Sequence, residues 1–295
     1  MHLLIPTIGF GLVTASILAI ASVGFTLQFA ITNILNLAYA EVMTSSAFVA
    51  YEANRNGIGI WYCIALGGLF GALFSMLLNR FVYTPFIRRG TRAVGAVIVS
   101  IAVGLLVQYA VVIIWSPNFV SYQATAGRSV QIGSMIFTVT QLGIIGVAVA
   151  SMLLVHILLA YTKLGKAMRA TAMNPPLARA SGISTDRVVD LTWLISGGLC
   201  GTAGVIFAMN VISFTPFTEQ DFLIVIVAAA VLGGIGRPYG AMLGALTIGL
   251  ATELAALVFN PAYKEIVAFV ILAVVLLLRP QGILSGGLSR EEATA

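Results

Sequence analysis

Charged residues are what this sequence has least of. Asp, Glu, Lys and Arg make up 8% of its 295 residues, against roughly a quarter in a soluble domain. Too few solvated groups remain to cover a globular surface, which excludes an ordinary aqueous fold. Histidine is as scarce, with only His2 and His156. No His-Glu-x-x-His pair, Gly-x-Ser-x-Gly elbow or Gly-Lys-Ser/Thr phosphate loop occurs, so an enzyme site is not expected and neither is a cofactor or metal. His156 lies in an apolar run with no second His or Cys four residues away, which suits a packed or interfacial group. Cys63 and Cys200 fall singly inside apolar segments, which argues against a disulfide framework or a Cys-x-x-Cys cluster. Lys and Arg exceed Asp and Glu by 15 to 10 but form no stripe interleaved with aromatics, so nucleic acid is not an expected partner.

Apolar sequence is what the chain has in quantity, at 60% of residues. Runs near the length of about 20 residues that crosses a bilayer fall near 7–28, 33–54, 60–83, 93–115, 135–160, 190–213, 221–236, 239–259 and 264–279. Residues 1–6 lack the basic n-region of a signal peptide, so the first run counts as a span. The expectation is an all-α polytopic membrane protein, a single domain over 1–295, with about eight to nine transmembrane helices. Basic residues concentrate in 84–92 (Arg88, Arg89, Arg92), in Thr162–Asp190 and in the Arg279–Arg290 tail. Short basic loops stay on the cytoplasmic face. That places the C-terminus and the 280–295 tail inside, the N-terminus outside, and the chain in a plasma (inner) membrane.

The 161–190 loop has structure of its own. Leu164, Ala167, Met168 and Thr171 share one helical stripe, with Lys163, Lys166 and Arg169 spread over the rest, which predicts an amphipathic surface helix over 163–172. Asn174 before Pro175 is an N-cap followed by a first-turn proline, so a second short helix should run from Pro175 to Ser181. Gly182 stands where a left-handed C-cap is expected, and Ser184 with Asp186 should cap the next span. A connector that only sets topology would need none of these caps.

Polar groups at membrane depth are tolerated where they are buried in protein or line a cavity. The second segment is the most polar, with Asn33, Asn36, Glu41 and Glu52; it either spans or is broken or re-entrant. Asn36, Tyr39 and Glu41 are placed near a substrate pathway, the alternative being a helix-packing network. Glu253 is expected near the outer rim. Gly67 with Gly71, Gly197 with Gly201 and Gly204, and Gly240 with Gly244 have the spacing that lets membrane helices approach closely. Gly233, Gly234 and Gly236 before Arg237 read as a tight turn, because the strand and the Lys-Ser/Thr ending of a phosphate loop are missing. Ala15–Leu27 followed by Leu37–Ala50 resembles, in arrangement, Leu194–Met209 followed by Phe222–Leu232, with Glu41 in one and Glu219 and Asp221 in the other. That suggests an inverted repeat with a site near the repeat interface.

Residues 164–193, LGKAMRATAMNPPLARASGISTDRVVDLTW, resemble the cytoplasmic loop of high-affinity branched-chain amino acid ABC transporter permeases of the LivH type. Leu278-Arg-Pro-Gln-Gly-Ile283, Val231-Leu-Gly-Gly-Ile-Gly and the Asn36 to Glu41 element are similar to further motifs of that family, in the same order. The resemblance implies a permease subunit translocating branched-chain or related amino acids. It also implies partners: a second homologous permease, two cytoplasmic ATPase subunits that hydrolyse the ATP, and an extracytoplasmic substrate-binding protein. It places Lys166, Met168, Arg169, Ala170, Asn174 and Gly182 in the loop that couples to the ATPase. Leu37, Tyr39 and Ala40 stand where the family has Phe, His and Gly, which leaves urea, amides or carboxylic acids open as substrates. The rivals from other classes are an ion-coupled carrier using Glu41 or Glu253 and a membrane scaffold.

Overall fold

A computed structural model of the chain describes residues 4–90, 93–123, 129–132, 135–257, 259–260, 263–278 and 282. Helices α1 (Leu4–Thr32), α2 (Tyr39–Arg55) and α3 (Ile60–Leu78) come first. A π-helical turn, Asn79–Tyr83, carries α3 into α4 (Thr84–Arg88), and α5 (Ala93–Trp115) follows. A hairpin of β1 (Ser129–Ile132) and β2 (Met135–Thr138) pairs antiparallel, Ser129 opposite Thr138. Then come α6 (Val139–Tyr161), α7 (Lys163–Met173), α8 (Pro175–Ala180), α9 (Thr185–Val211), α10 (Thr218–Gly233), α11 (Pro238–Ala255) and α12 (Lys264–Leu278). Among the described residues, Pro6–Thr32, Ile60–Arg88, Val94–Trp115, Val139–Tyr161 and Thr185–Val211 are long and apolar enough to cross a membrane alone. The other four expected spans are shorter helices of 15 to 18 residues, and α10 and α11 meet at a bend of 119°. The 280–295 tail, Gly282 apart, lies outside the described residues.

The core is built by close approach of small residues. α3 lies along α9, where a Cβ on Gly71 would stand 2.5 Å from the Gly197 carbonyl and 2.9 Å from Gly201 Cα. Gly204 faces the backbone of Met43 on α2, and Gly244 that of Ala229 on α10. In lipid, helix association comes from such contacts rather than from the hydrophobic effect. The glycines expected at packing positions are therefore where the helices touch.

The packing also repeats. α1, α2 and α3 correspond to α9, α10 and α11 at a constant offset of 179 residues. Asn33 (φ 55°) ends α1 as Ile212 (φ 67°) ends α9, and 33 + 179 = 212. α2 begins at 39 and α10 at 218; Gly57 (φ 89°) and Gly236 (φ 85°) turn the chain after them. α3 runs along α9 as α11 runs along α1, and α5 leans on α2 as α12 does on α10. In the second segment α1 stops at Thr32, residues 33–38 are non-helical, and α2 then runs unbroken from Tyr39 to Arg55.

Candidate functional site

The two short helices of the repeat, α2 and α10, meet at their first turns, and this is where the buried carboxylates lie. Glu41 Oε1 accepts a hydrogen bond from Gln220 Nε2 at 2.9 Å. Since 41 + 179 = 220, this bond joins equivalent residues and marks the pseudo-two-fold axis. One turn along α2, the Thr44 hydroxyl lies 3.0 Å from Glu219 Oε2 and 3.1 Å from the Ala40 carbonyl, so its single proton serves one of them at a time. Tyr39 and Met43 sit against Cys200 and Gly204, near the middle of α9, which puts the cluster near the middle of the bundle.

Both acids are deeply buried, Glu41 at 3% exposure and Glu219 at 0%. Neither forms an ion pair among the described residues, and Glu41 Oε2 and Glu219 Oε1 have no hydrogen-bond partner there. Bare carboxylate oxygens in a low-dielectric interior are costly. The arrangement offers acceptors to a group that brings N–H or positive charge. No group of three or more His, Cys, Asp or Glu capable of holding a metal occurs among the described residues.

Asn36 and Tyr39 brace this site from the loop side. Asn36 Oδ1 accepts the Ala38 N–H at 3.1 Å and the Tyr83 hydroxyl at 2.7 Å, which pins the 33–38 loop to the π-turn after α3. Ser100 of α5 holds the same loop through the Leu37 N–H. Tyr39 donates to the Ala21 carbonyl at 2.9 Å and stands edge-on to Phe25. Of the three residues expected on the pathway, Glu41 has a free acceptor, Tyr39 is engaged in packing, and Asn36 combines a bonded oxygen with an unpartnered buried nitrogen. Glu253 lies elsewhere: Lys264 Nζ reaches it at 2.7 Å and Thr14 at 3.0 Å, tying α11 to α12 and α1.

The second candidate surface is the 161–190 loop. Thr162 caps α7 through the Gly165 N–H, and Asn174 caps α8 through the Leu177 N–H at 3.0 Å. Gly182 adopts φ 84°. Ser184 occupies the N-cap position of α9 but makes no side-chain cap; Asp186 in the first turn pairs instead with Arg88 of α4 and Arg179 of α8. Lys166, Arg169, Asn174 and Gly182 are exposed, and Ala170 is half-buried. Met168 is buried at 2%, on the inner stripe with Thr171, so it anchors the helix rather than facing outward. Within α7 and α8 the exposed large apolar groups are Met173 and Leu177, at 88% and 63%.

Sequence reading alone did not single out Gln220, Thr44, Met173 or Leu177. The 179-residue offset was the signal that points to Gln220. For Thr44 no signal existed, because its partner is 175 residues away.

Comparisons agree with this architecture. Residues 7–276 match the family model described as branched-chain amino acid transport system / permease component. The high-affinity branched-chain amino acid transport system permease protein LivH of Escherichia coli (strain K12) is 30% identical over 289 residues, 93% of each chain. The corresponding BraD protein of Pseudomonas aeruginosa is 30% identical with the same coverage. Among solved structures, PsaBC from Streptococcus pneumoniae in complex with Fab superposes with a TM-score of 0.54 at 15% identity, over 92% of this chain and 91% of that one, which is a likeness of fold.

Proposed function

The chain belongs to the family of branched-chain amino acid transport permease components, and from that premise we propose that it is the membrane-spanning subunit of an ATP-driven importer of branched-chain or closely related amino acids. The observation that carries this reading is the extent of the match, which takes in the repeat, the loop between α6 and α9 and the turn before α11. ATP hydrolysis falls to two ATPase chains on the cytoplasmic side, substrate delivery to an extracytoplasmic binding protein, and the second half of the pathway to another homologous permease. The C-terminus lies on the cytoplasmic side in this reading, which the bias of Lys and Arg toward cytoplasmic loops supports. In the pathway, Glu41 and Glu219 take the ammonium group of the amino acid, a charge-assisted bond replacing an uncompensated acceptor. Helix α8 docks on the ATPase through Leu177, with Met173 at the end of α7 as the neighbouring apolar contact, in the manner of a helix laid into a groove.

The test is uptake into vesicles that hold the complete complex. Leucine, isoleucine and valine should enter in an ATP-dependent way. Entry of urea, amides or carboxylates, with the branched-chain amino acids excluded, would assign the departures at Leu37, Tyr39 and Ala40 to a different substrate. Uptake by the chain alone, driven by an ion gradient, would replace the reading with a secondary carrier.

A further inference from the structure

Two adjoining clefts on the flank of the bundle lie apart from the Glu41 cluster, and the second reaches the base of the loop at Arg169. The first, of about 470 Å3, lies between α1, α6 and α11. Its floor is made of small side chains, Ala15, Ser16 and Ala19 of α1 with Ala148 of α6, and Val149 forms part of its rim. The second, of about 410 Å3, continues past Tyr239, which lines both, to the ends of α1 and α6, to α7 and to the turn before α11; Arg169 and Arg237 line it there. At the junction His156 Nδ1 lies 2.9 Å from the Tyr239 hydroxyl.

Helix α6, which walls the trough, is an outlying helix, with Leu154 at 67% and Tyr161 at 76% exposure. From Ala148 to His156 the floor rises about 12 Å along α6 at 1.5 Å per residue, close to the roughly 15 Å depth of one leaflet's hydrocarbon. Arg169 and Arg237 line the end facing the α7–α8 loop. Arg169 gives one N–H to the Leu159 carbonyl and keeps further N–H donors in a planar fork, a geometry that matches phosphate. Basic pockets between membrane helices at a headgroup boundary are the form such lipid sites take.

We propose that this trough is a specific site for one anionic phospholipid of the leaflet next to the α7–α8 loop, its phosphate between Arg169 and Arg237 and one acyl chain laid over Ala15, Ala19 and Ala148. The bound lipid bridges α7 to α1, α6 and the turn before α11, and so stiffens the base of the loop. The site is independent of the transported substrate.

The experiment offers the full chain, purified in mild detergent, equal amounts of phosphatidylglycerol and phosphatidylcholine of one chain length, and counts retained lipid by native mass spectrometry. The parent should hold one phosphatidylglycerol in preference to phosphatidylcholine by about tenfold or more, on the order of 1 kcal/mol for each basic residue at the headgroup. Arg169→Gln with Arg237→Gln should lose the preference, and Arg169→Lys with Arg237→Lys should keep part of it. Val149→Trp, at an exposed rim position, should lower retention of both lipids without altering the melting temperature. Equal retention of the two lipids by the parent overturns the site. So does an unchanged preference in the double Gln variant, since charge anywhere on the surface would then suffice, and so does unchanged retention of both lipids in Val149→Trp. Exclusion of the lipid when a second permease assembles on this flank overturns it too, by assigning the trough to a protein partner.

Discussion

Replacing Gly182 by Val isolates the loop from the membrane helices. Gly182 closes α8 at φ 84°; its N–H donates to the Arg179 carbonyl and the Ile183 N–H to the Ala178 carbonyl, each at 3.0 Å. These are the paired bonds of a left-handed helix C-cap. A Cβ built at Gly182 meets nothing within 4 Å, so any cost of substitution is backbone strain alone. For an ordinary L-residue the left-handed region costs about 1–2 kcal/mol, and a β-branched residue is a genuine outlier there whereas Asn is tolerated. If that strain opens the turn, α8 leaves its docked geometry with a bias of about 5- to 30-fold. Expected coupling therefore falls in the order Gly, Asn, Ala, Val, with normal insertion throughout. The assay is substrate-stimulated ATP hydrolysis and uptake by the reconstituted complex, together with ATPase co-purification. A Gly182→Val protein that couples hydrolysis to uptake as well as the parent would reduce the loop to a topology signal.

Single cysteines at Ser121 and Thr215, in a chain freed of Cys63 and Cys200, should react with impermeant reagent from outside and one at Ser184 only from inside; external labelling at Ser184 would invert the assigned orientation. Gly201→Val drives a side chain into the Gly67 carbonyl and to within about 2.8 Å of Ser46 Oγ, and overpacking of this kind costs about 1–3 kcal/mol or more. Detergent melting should fall for it, while Gly146→Val, with open space around it, should melt like the parent. Lys264→Met removes the cation from Glu253, which is 14% exposed. With Lys264 itself 37% exposed, the loss should be about 1 kcal/mol rather than the several of a fully buried pair. Adding Glu253→Gln should restore most of the melting temperature, and a double variant less stable than the single one would contradict that.

Much of this was legible in the sequence because membrane helices follow local rules. Apolar runs located the helices, and Asn174, Pro175 and Gly182 located the loop helices, since caps and left-handed turns depend on a few adjacent residues. Glycine spacing marked the α3–α9 contact for the same reason. Asp186 stands in the first turn of α9 as expected, but its pairing with Arg88 and Arg179 is a tertiary contact no local pattern encodes. Met168 was placed with the coupling residues by resemblance, although its place on the Leu164 stripe already implied burial. Glu41 could be singled out as an acid at membrane depth, but its neighbours could not. Gln220 and Glu219 reach it and Thr44 only through the fold, across 179 and 175 residues of chain.

That Glu41 and Glu219 act as one unit in translocation is tested most directly by initial rates of labelled leucine uptake. The vesicles carry the assembled complex with Glu41→Gln, Glu219→Gln or both, each checked for normal assembly. Each single change should slow uptake by more than tenfold, or about 1.4 kcal/mol, and the double variant should be no slower than the worse single one, because neighbouring groups that serve one step do not contribute additively. Uptake at the parent rate in either single variant, or losses that multiply in the double, would contradict a shared role for the two carboxylates.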